Sequence, residues 1–262
     1  MFFYNLCSSS RGNSSFLGDL TGGILFDAGI GPRSLAKALG LVGLRPETVR
    51  AIFVSHEHSD HIQGLDAFSS RYGIPVYGSR GTLEALLSRR LLSGRQPIFE
   101  MDGPVEAGGF LVTPFATPHD AVQSIGFHAD CPNGRSVAVC TDLGHPSETV
   151  MQGILGCDFV MLESNYDRKM LLTGSYPPFL KQRVNSRSGH LSNDQCAQVL
   201  EQLVLSGTTQ AVLAHLSEEN NRPELARAHS VDYLARCGIQ EGSDYRIDVL
   251  PRTTEGRRFD LS

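Results

Sequence analysis

The sequence predicts an α/β protein built from two α/β halves that pack sheet to sheet. Apolar runs typical of buried strands cluster in each half of the 262-residue chain, and amphipathic helices flank them. No low-complexity linker and no block of charge divides the chain, so we expect one domain over residues 1–262. A weaker sign is internal: residues 25–29 and 139–144 both run from an apolar strand through Asp to a small turn.

The first half alternates strands and helices. A strand over residues 2–7 leads into a loop of small residues, 8–15, which either offers open N–H groups to an anion or simply connects a hairpin. A buried strand at 23–27 ends in Asp27, and a helix follows from Pro32 to Leu41. The other expected elements are a strand at 51–54, a helix beginning near His61, a strand near 75–77, and a helix over 81–92 with Leu83, Leu86, Leu87 and Leu91 as its apolar stripe.

The second half begins with strands and ends in alternating helices and strands. A helix over residues 192–205 has Ser192 or Asn193 as its candidate N-cap, and a second helix runs from Pro223 to Arg236. We expect strands at 97–100, 110–115, 123–129, 136–141, 158–163, 209–214 and 245–249.

Composition excludes several functional classes. The net charge of −5 provides no general basic field for nucleic acid, so such a partner would need local Lys/Arg patches or metals. Six scattered Cys without a C-x-x-C pair suit a reducing cytosol better than a disulfide framework. The N-terminus lacks a signal-peptide pattern, and no apolar run approaches the roughly 20 residues that span a bilayer. We therefore expect a cytoplasmic protein with no membrane association, and no feature indicates an obligate protein partner.

A histidine-rich stretch carries the clearest chemical signal. Residues 55–61 read Ser-His-Glu-His-Ser-Asp-His and follow the apolar strand at 51–54. Imidazole and carboxylate are ligands of Zn²⁺, Mn²⁺ and Fe ions. In an extended segment His56, His58 and Asp60 point to one side, whereas His61 joins them only if the chain turns into a helix. The stretch therefore predicts a metal site.

Other polar residues lie where later strands end. His119 follows the strand at 110–115, Asp142 the strand at 136–141, and His215 the strand at 209–214. His190 stands at the start of the helix over 192–205. Each alone is an ordinary surface or core residue. Together, at strand ends that a rigid sheet can bring to one edge, they predict additional ligands.

These motifs resemble those of the metallo-β-lactamase superfamily. His56-Glu57-His58-Ser59-Asp60-His61 matches its H-x-H-x-D-H motif, and the remaining motif residues occur in order along the chain at Asp27, His119, Asp142 and His215. The segments 8–14, 163–167, 189–193 and 215–217 are closer to the WalJ/YycJ-type bacterial exonucleases, and the last two are also similar to ribonuclease Z. The resemblance implies a four-layer αββα sandwich with a dinuclear metal site at the sheet edge.

The same resemblance implies the ligand set. His56, His58 and His119 would hold one divalent ion, Asp60, His61 and His215 would hold the second, and Asp142 would bridge both. Asp27 would orient a ligating imidazole from behind. The ions would be Zn²⁺ or Mn²⁺, with Fe also possible.

The function that follows is a metal-dependent phosphodiesterase acting on nucleic acid, most simply a 5′-to-3′ DNA exonuclease that uses a hydroxide shared by two metals. Asp60, Asp142 and His190 would be catalytic, with His190 contacting the scissile phosphate or protonating the leaving oxygen. We expect substrate contacts from His190 and from a further set: Ser8, Ser10, Asn13, Arg183 and Arg187.

Three alternatives remain at this stage. A small-molecule hydrolase of the same fold, such as a lactonase, thioesterase or cyclic-nucleotide phosphodiesterase, is compatible with the acidic charge. An iron-bearing redox protein is disfavoured because that branch of the superfamily commonly carries a carboxylate where His58 stands. A regulatory metal-binding module without turnover is disfavoured by the complete ligand set.

Overall fold

The computed structural model describes residues 1–9, 12–250 and 256–261. The strands within these ranges are β1 (Phe2–Ser9), β2 (Gly12–Asp19), β3 (Gly22–Phe26), β4 (Val49–Val54), β5 (Val76–Gly78), β6 (Ile98–Glu100), β7 (Val105–Ala107), β8 (Phe110–Ala116), β9 (Ile125–Asp130), β10 (Ser136–Cys140), β11 (Phe159–Glu163), β12 (Gln210–Ala214), β13 (Arg246–Val249) and β14 (Arg257–Asp260). The α-helices are α1 (Pro32–Leu41), α2 (Ser59–Ile62), α3 (Leu65–Tyr72), α4 (Arg80–Ser88), α5 (Glu148–Ile154), α6 (Arg168–Thr173), α7 (Pro178–Val184), α8 (Asn193–Leu205) and α9 (Pro223–Arg236).

The strands form two sheets, each partly antiparallel and partly parallel. The first sheet has the order β14-β1-β2-β3-β4-β5-β6 and the second β13-β12-β11-β10-β9-β8-β7. β3 to β6 pair in parallel in the first sheet, as do β10 to β13 in the second. Parallel neighbours need long crossovers, which here contain helices. The parallel strands therefore end at a common edge of each sheet.

The hydrophobic core separates into layers. Between the sheets, aromatic rings meet across the interface, with ring centroids 4.8 Å apart for Phe3 and Phe159 and 5.2 Å apart for Phe26 and Phe127. The outer face of the first sheet buries side chains of α1, α3 and α4, and the outer face of the second buries those of α5, α8 and α9. This arrangement is the expected αββα sandwich.

Several elements agree closely with the expectations. α1 has the predicted limits and buries Leu35, Ala38 and Leu39. α8 begins after Ser192, whose hydroxyl accepts from the Gln195 N–H while the Gln195 side chain returns to the Ser192 N–H. This capping box satisfies two N–H groups that would otherwise lack partners. Across the described ranges, no helix is both long and apolar enough to cross a bilayer.

The expected loop over residues 8–15 is wrong for most of its length. Ser8 and Ser9 end β1, and the segment from Gly12 begins β2, with Ser8 opposite Asn13 and Ser9 opposite Gly12. Small polar residues are compatible with these strands because antiparallel pairing satisfies their backbone groups. Ser10 lies outside the described residues.

The expected apolar stripe at 81–92 is only partly correct. α4 ends at Ser88, and Leu87 and Leu91 are exposed, whereas Leu83 and Leu86 are buried. Besides β2, five elements had no sequence prediction: β7, β14, α5, α6 and α7. The two strands have three and four residues and the helices six or seven, too few for a periodic pattern.

Candidate metal centre

The strand ends of both sheets bring the candidate ligands to one edge. His56 lies two residues after β4, Asp142 two residues after β10, and His215 directly after β12. Asp27, Asp142 and His215 have φ angles of 58°, 57° and 54°. This left-handed backbone is unfavourable for side chains with a Cβ and is retained where surrounding structure enforces it. Strain is therefore concentrated at the predicted site.

A first cluster contains His56, His58 and His119, whose ring nitrogens lie within 4.8 Å of one another. The Nε2 of His56 is 3.0 Å from the Nδ1 of His58, which is 3.3 Å from the Nε2 of His119. Three imidazoles at this separation fit one metal ion. The grouping is the one expected for the first ion.

A second cluster contains Asp60, His61 and His215, again within 4.8 Å. The Asp60 carboxylate lies 3.5 Å from the Nε2 of His61 and 3.7 Å from the Nε2 of His215. Gly29 makes this position possible, because a Cβ on Gly29 would lie 1.6 Å from the Asp60 carbonyl oxygen. The α2 turn thereby places Asp60 and His61 together.

Asp142 lies between the two clusters. Its Oδ2 is 3.1 Å from the Nε2 of His61, and its Oδ1 is 3.8 Å from the Nε2 of His119. The carboxylate is buried, and although burial raises its pKa, His215, His61 and His119 outweigh that effect and hold the pKa well below its usual range. An ionised carboxylate in this position suits a ligand shared by two cations.

Four of the imidazoles are oriented by a partner on the ring nitrogen that faces away from the clusters. The Nδ1 of His61 donates to Asp27 at 2.7 Å, and the Nδ1 of His119 donates to the Gly189 carbonyl at 3.1 Å. The Nδ1 of His56 lies 2.9 Å from Ser55 Oγ, and that of His215 lies 2.8 Å from Glu163. Each contact leaves Nε2 free to coordinate, which is the arrangement around metal-ligating histidines. Asp27 occupies the orienting position expected for it.

Unpartnered buried atoms show that these residues fit metal ions. The Nε2 of His215 is buried and makes no hydrogen bond within the described residues, and the buried Oδ2 of Asp142 lies near only a candidate ligand atom, the Nε2 of His61 at 3.1 Å, without a well-aligned hydrogen bond. Such atoms are costly unless another partner binds them. Burial lowers the pKa of His56 well below its usual value, which favours the neutral imidazole that coordinates a metal. The donor set therefore suits the binding of divalent metal.

Glu163 is a site residue to which the sequence analysis assigned no role. It is the last residue of β11 and is fully buried. Its Oε2 accepts the N–H groups of Leu143 and Leu191 at 3.1 and 3.0 Å, and its Oε1 lies 2.8 Å from the Nδ1 of both His190 and His215. Burial raises the pKa of this carboxyl, but His190 and His215 outweigh it and lower the pKa to about 2. Its position at a strand end was the available signal.

His190 lies beside both clusters without belonging to the expected ligand set. Its ring centroid is 5.2 Å from that of His119 and 5.4 Å from that of His215. Burial lowers the pKa of His190, but Glu163 and Asp142 outweigh it and raise the pKa above its usual value. The two carboxylates therefore favour the protonated form of His190.

The expected substrate residues of β1 and β2 lie beneath the ligands. The Ser8 hydroxyl is buried and accepts the N–H of His215 at 2.9 Å. The Asn13 side chain is also buried, and its Nδ2 donates to Asp60 and to the Ser9 carbonyl, at 3.1 Å each. These contacts make Ser8 and Asn13 supports of His215 and Asp60, which corrects the expectation that they face the substrate.

The two expected arginine contacts lie in different cavities. Arg183 lines a cavity of about 220 Å³ together with the ligands, where its guanidinium pairs with Asp120. Arg187 lies in a neighbouring groove, and its guanidinium is 3.0 Å from the Nε2 of His145. The structure therefore brings Arg183 to the candidate site and leaves Arg187 outside the site cavity.

Comparison with known proteins identifies the family. A family model described as the β-lactamase superfamily domain matches residues 23–216. The chain belongs to the metallo-β-lactamase superfamily. The site geometry is in keeping with this membership, because the clusters contain the His and Asp residues of the superfamily's H-x-H-x-D-H motif.

Within the metallo-β-lactamase superfamily, the chain is similar to two exodeoxyribonucleases. It is 34% identical to WalJ of Streptococcus pneumoniae serotype 2 over 253 residues, which cover 95% of this chain and 94% of WalJ. It is 33% identical to YycJ of Bacillus anthracis over 255 residues, 96% of each chain. The predicted resemblance to this branch is confirmed.

The fold class is also confirmed by comparison of structures. The metallo-β-lactamase fold protein YhfI of Bacillus subtilis superposes with a TM-score of 0.71 and covers 99% of this chain and 100% of its own. Its sequence is only 16% identical, so this similarity concerns the fold alone.

Proposed function

We propose that this protein is a metal-dependent DNA exonuclease that degrades strands in the 5′-to-3′ direction. The observation that carries the proposal is the Glu163–His190 pair, 2.8 Å apart, beside clusters of His and Asp side chains close enough together to hold metal ions. A phosphodiesterase needs both an activated water and a proton for the departing oxygen. The similarity to exodeoxyribonucleases WalJ and YycJ supports DNA as the substrate.

In the proposed site, His56, His58 and His119 would hold one ion, Asp60, His61 and His215 the other, and Asp142 both. When bound, two such ions lower the pKa of water and neutralise the non-bridging phosphate oxygens. His190 would donate its proton to the leaving oxygen, with Glu163 stabilising the protonated imidazole. Arg183 would face the incoming phosphate, and Asp120 would hold the guanidinium in place.

We propose Zn²⁺ or Mn²⁺ as the working ions, with Fe as a further candidate, because mixed imidazole and carboxylate ligands accept all three. The proposed compartment is the cytoplasm, in keeping with the absence of disulfides among the six cysteines, all of which are free. Both sheets contribute site residues, so we propose that the whole chain acts as one catalytic domain.

A direct assay tests the proposed activity. Purified protein loaded with Zn²⁺ or Mn²⁺ is incubated with single- and double-stranded DNA and RNA labelled at either end. We expect metal-dependent release of label from the 5′ end of DNA first, and loss of activity in chelator and in Asp60→Ala, because Asp60 belongs to the second cluster. If no polymer is degraded in a metal- and Asp60-dependent way, the nuclease assignment is wrong and a small-molecule hydrolase replaces it.

Replacing Arg183 tests the proposed phosphate contact. In Arg183→Ala we expect a severalfold higher KM for DNA with little change in kcat, because an exposed cation contributes about 1 kcal/mol to binding. The slope of log KM against log salt concentration should also decrease by about one, the change expected when one phosphate contact is lost. Arg187→Ala, in the neighbouring groove, is the matched control. An unchanged KM and salt slope in Arg183→Ala would remove Arg183 from the substrate site.

A further inference from the structure

Phe179 is an exposed aromatic side chain on α7, the helix that contributes residues to the candidate site. Its side chain is 73% exposed, as much as Leu205, and no other described large apolar side chain is more exposed. Phe99, the other exposed phenylalanine, is 47% exposed and stacks on Tyr77 with ring centroids 5.1 Å apart. No aromatic ring within the described ranges stacks on Phe179, and most of its side chain is exposed.

The helix that carries Phe179 also lines the metal cavity. α7 spans Pro178–Val184, and its residues Leu180, Arg183 and Val184 contribute to the cavity wall with Tyr176. Phe179 and Arg183 are four residues apart, which places them on one helix face with Cβ atoms about 6 Å apart. Phe179 therefore lies one helical turn before Arg183, on the helix face that carries a cavity-lining cation.

α7 is fixed rather than loosely attached. Its inner side packs Leu180 and Val184 against Tyr166 and Leu171. Its end contacts the site directly, because the His190 N–H donates to the Val184 carbonyl at 3.0 Å and a Cβ on Gly189 would lie 2.2 Å from the Arg183 carbonyl oxygen. Leu180 and Val184 fill the core contact, so Phe179 is not needed for packing.

We propose that Phe179 stacks on a base of the bound strand and makes single-stranded DNA the preferred substrate; this rests on the proposed nuclease function. Base–aromatic stacking tolerates any sequence because every base has a π face, and a nearby cation holds the backbone. Bases inside a duplex already stack on both neighbours, so only an unpaired base can accept the ring.

Phe179→Ala tests the stacking. Stacking contributes about 1–3 kcal/mol per base, so we expect the KM for a single-stranded oligonucleotide to rise about tenfold or more, with kcat within twofold. Phe179→Tyr and Phe179→Trp should keep the wild-type KM. Leu205→Ala, an equally exposed residue at the end of α8, should change nothing. The KM for a blunt duplex should change less than that for a single strand.

A substrate without bases separates this inference from the function on which it depends. An oligonucleotide with abasic sugars at its 5′ end should bind the wild-type protein as weakly as the normal strand binds Phe179→Ala. The abasic oligonucleotide and Phe179→Ala together should raise KM no further than either change alone. Additive losses, or an unchanged KM in Phe179→Ala while DNA is still degraded, would overturn the stacking role. If Phe179→Ala converted a dimer to a monomer by light scattering, the ring would be a subunit contact instead. Failure of the proposed function would look different: metal-loaded wild type would degrade no strand.

Discussion

Asp142→Asn should lower kcat/KM for DNA by roughly a thousandfold or more, since metal-ion catalysis contributes several kcal/mol and each 1.36 kcal/mol corresponds to a factor of ten. Asp142 is the carboxylate that approaches both clusters, at 3.1 Å from His61 and 3.8 Å from His119. An amide has no negative charge and one oxygen fewer, so it can serve at most one ion. We expect bound metal, measured by elemental analysis, to fall below two ions per chain.

The matched control is Asp130→Asn. Asp130 is an exposed residue at the end of β9 that contacts His128 away from the clusters. It should keep wild-type metal content and rate. Two tightly bound ions together with a wild-type rate in Asp142→Asn would show that the carboxylate does not bridge the clusters.

The ligands were predictable from sequence for a local reason and a topological one. His56 and His58 are close in the chain, and strand alternation places them together. Asp60 does not continue that alternation, because it lies in α2 and joins His61 in the second cluster. His119, Asp142 and His215 are distant, but each follows a strand, and the ends of parallel strands meet at one sheet edge. The structure brings all of these residues together at that edge, in overlapping groups of potential metal ligands.

The supports of the ligands were harder to predict because they depend on pairing across the sheets. Glu163 contacts residues 20 to 52 positions away, since β11 lies between β10 and β12 in the sheet order. Ser8 reaches His215 across 207 positions, a contact between the two sheets that a small-residue pattern does not reveal. α7 has only seven residues, and its position depends on the close approach of Gly189. Local patterns thus identify ligands better than the residues that orient them.

Glu163→Gln should weaken metal binding by about 10- to 100-fold, the usual cost of losing a partner behind a metal-ligating histidine. The wild-type carboxylate accepts from two backbone N–H groups and faces the Nδ1 atoms of His190 and His215. A glutamine has one acceptor oxygen, so its NH₂ group would face at least one N–H donor. Leaving that buried donor unsatisfied costs about 1–3 kcal/mol, and we expect a lower Tm of the metal-free protein.

The activity of Glu163→Gln should fall further than its metal content explains. Without the carboxylate, nothing at that position stabilises a protonated His190, so the rate at saturating metal should remain well below wild type. Metal titration, Tm and turnover are measured together, with Glu148→Gln on the exposed start of α5 as control. At saturating metal, His190→Ala combined with Glu163→Gln should lose little more turnover than His190→Ala alone, because the two residues act as a pair in proton transfer. Wild-type turnover by metal-saturated Glu163→Gln would show that Glu163 stabilises only the fold. His190 would then transfer its proton without a contribution from Glu163.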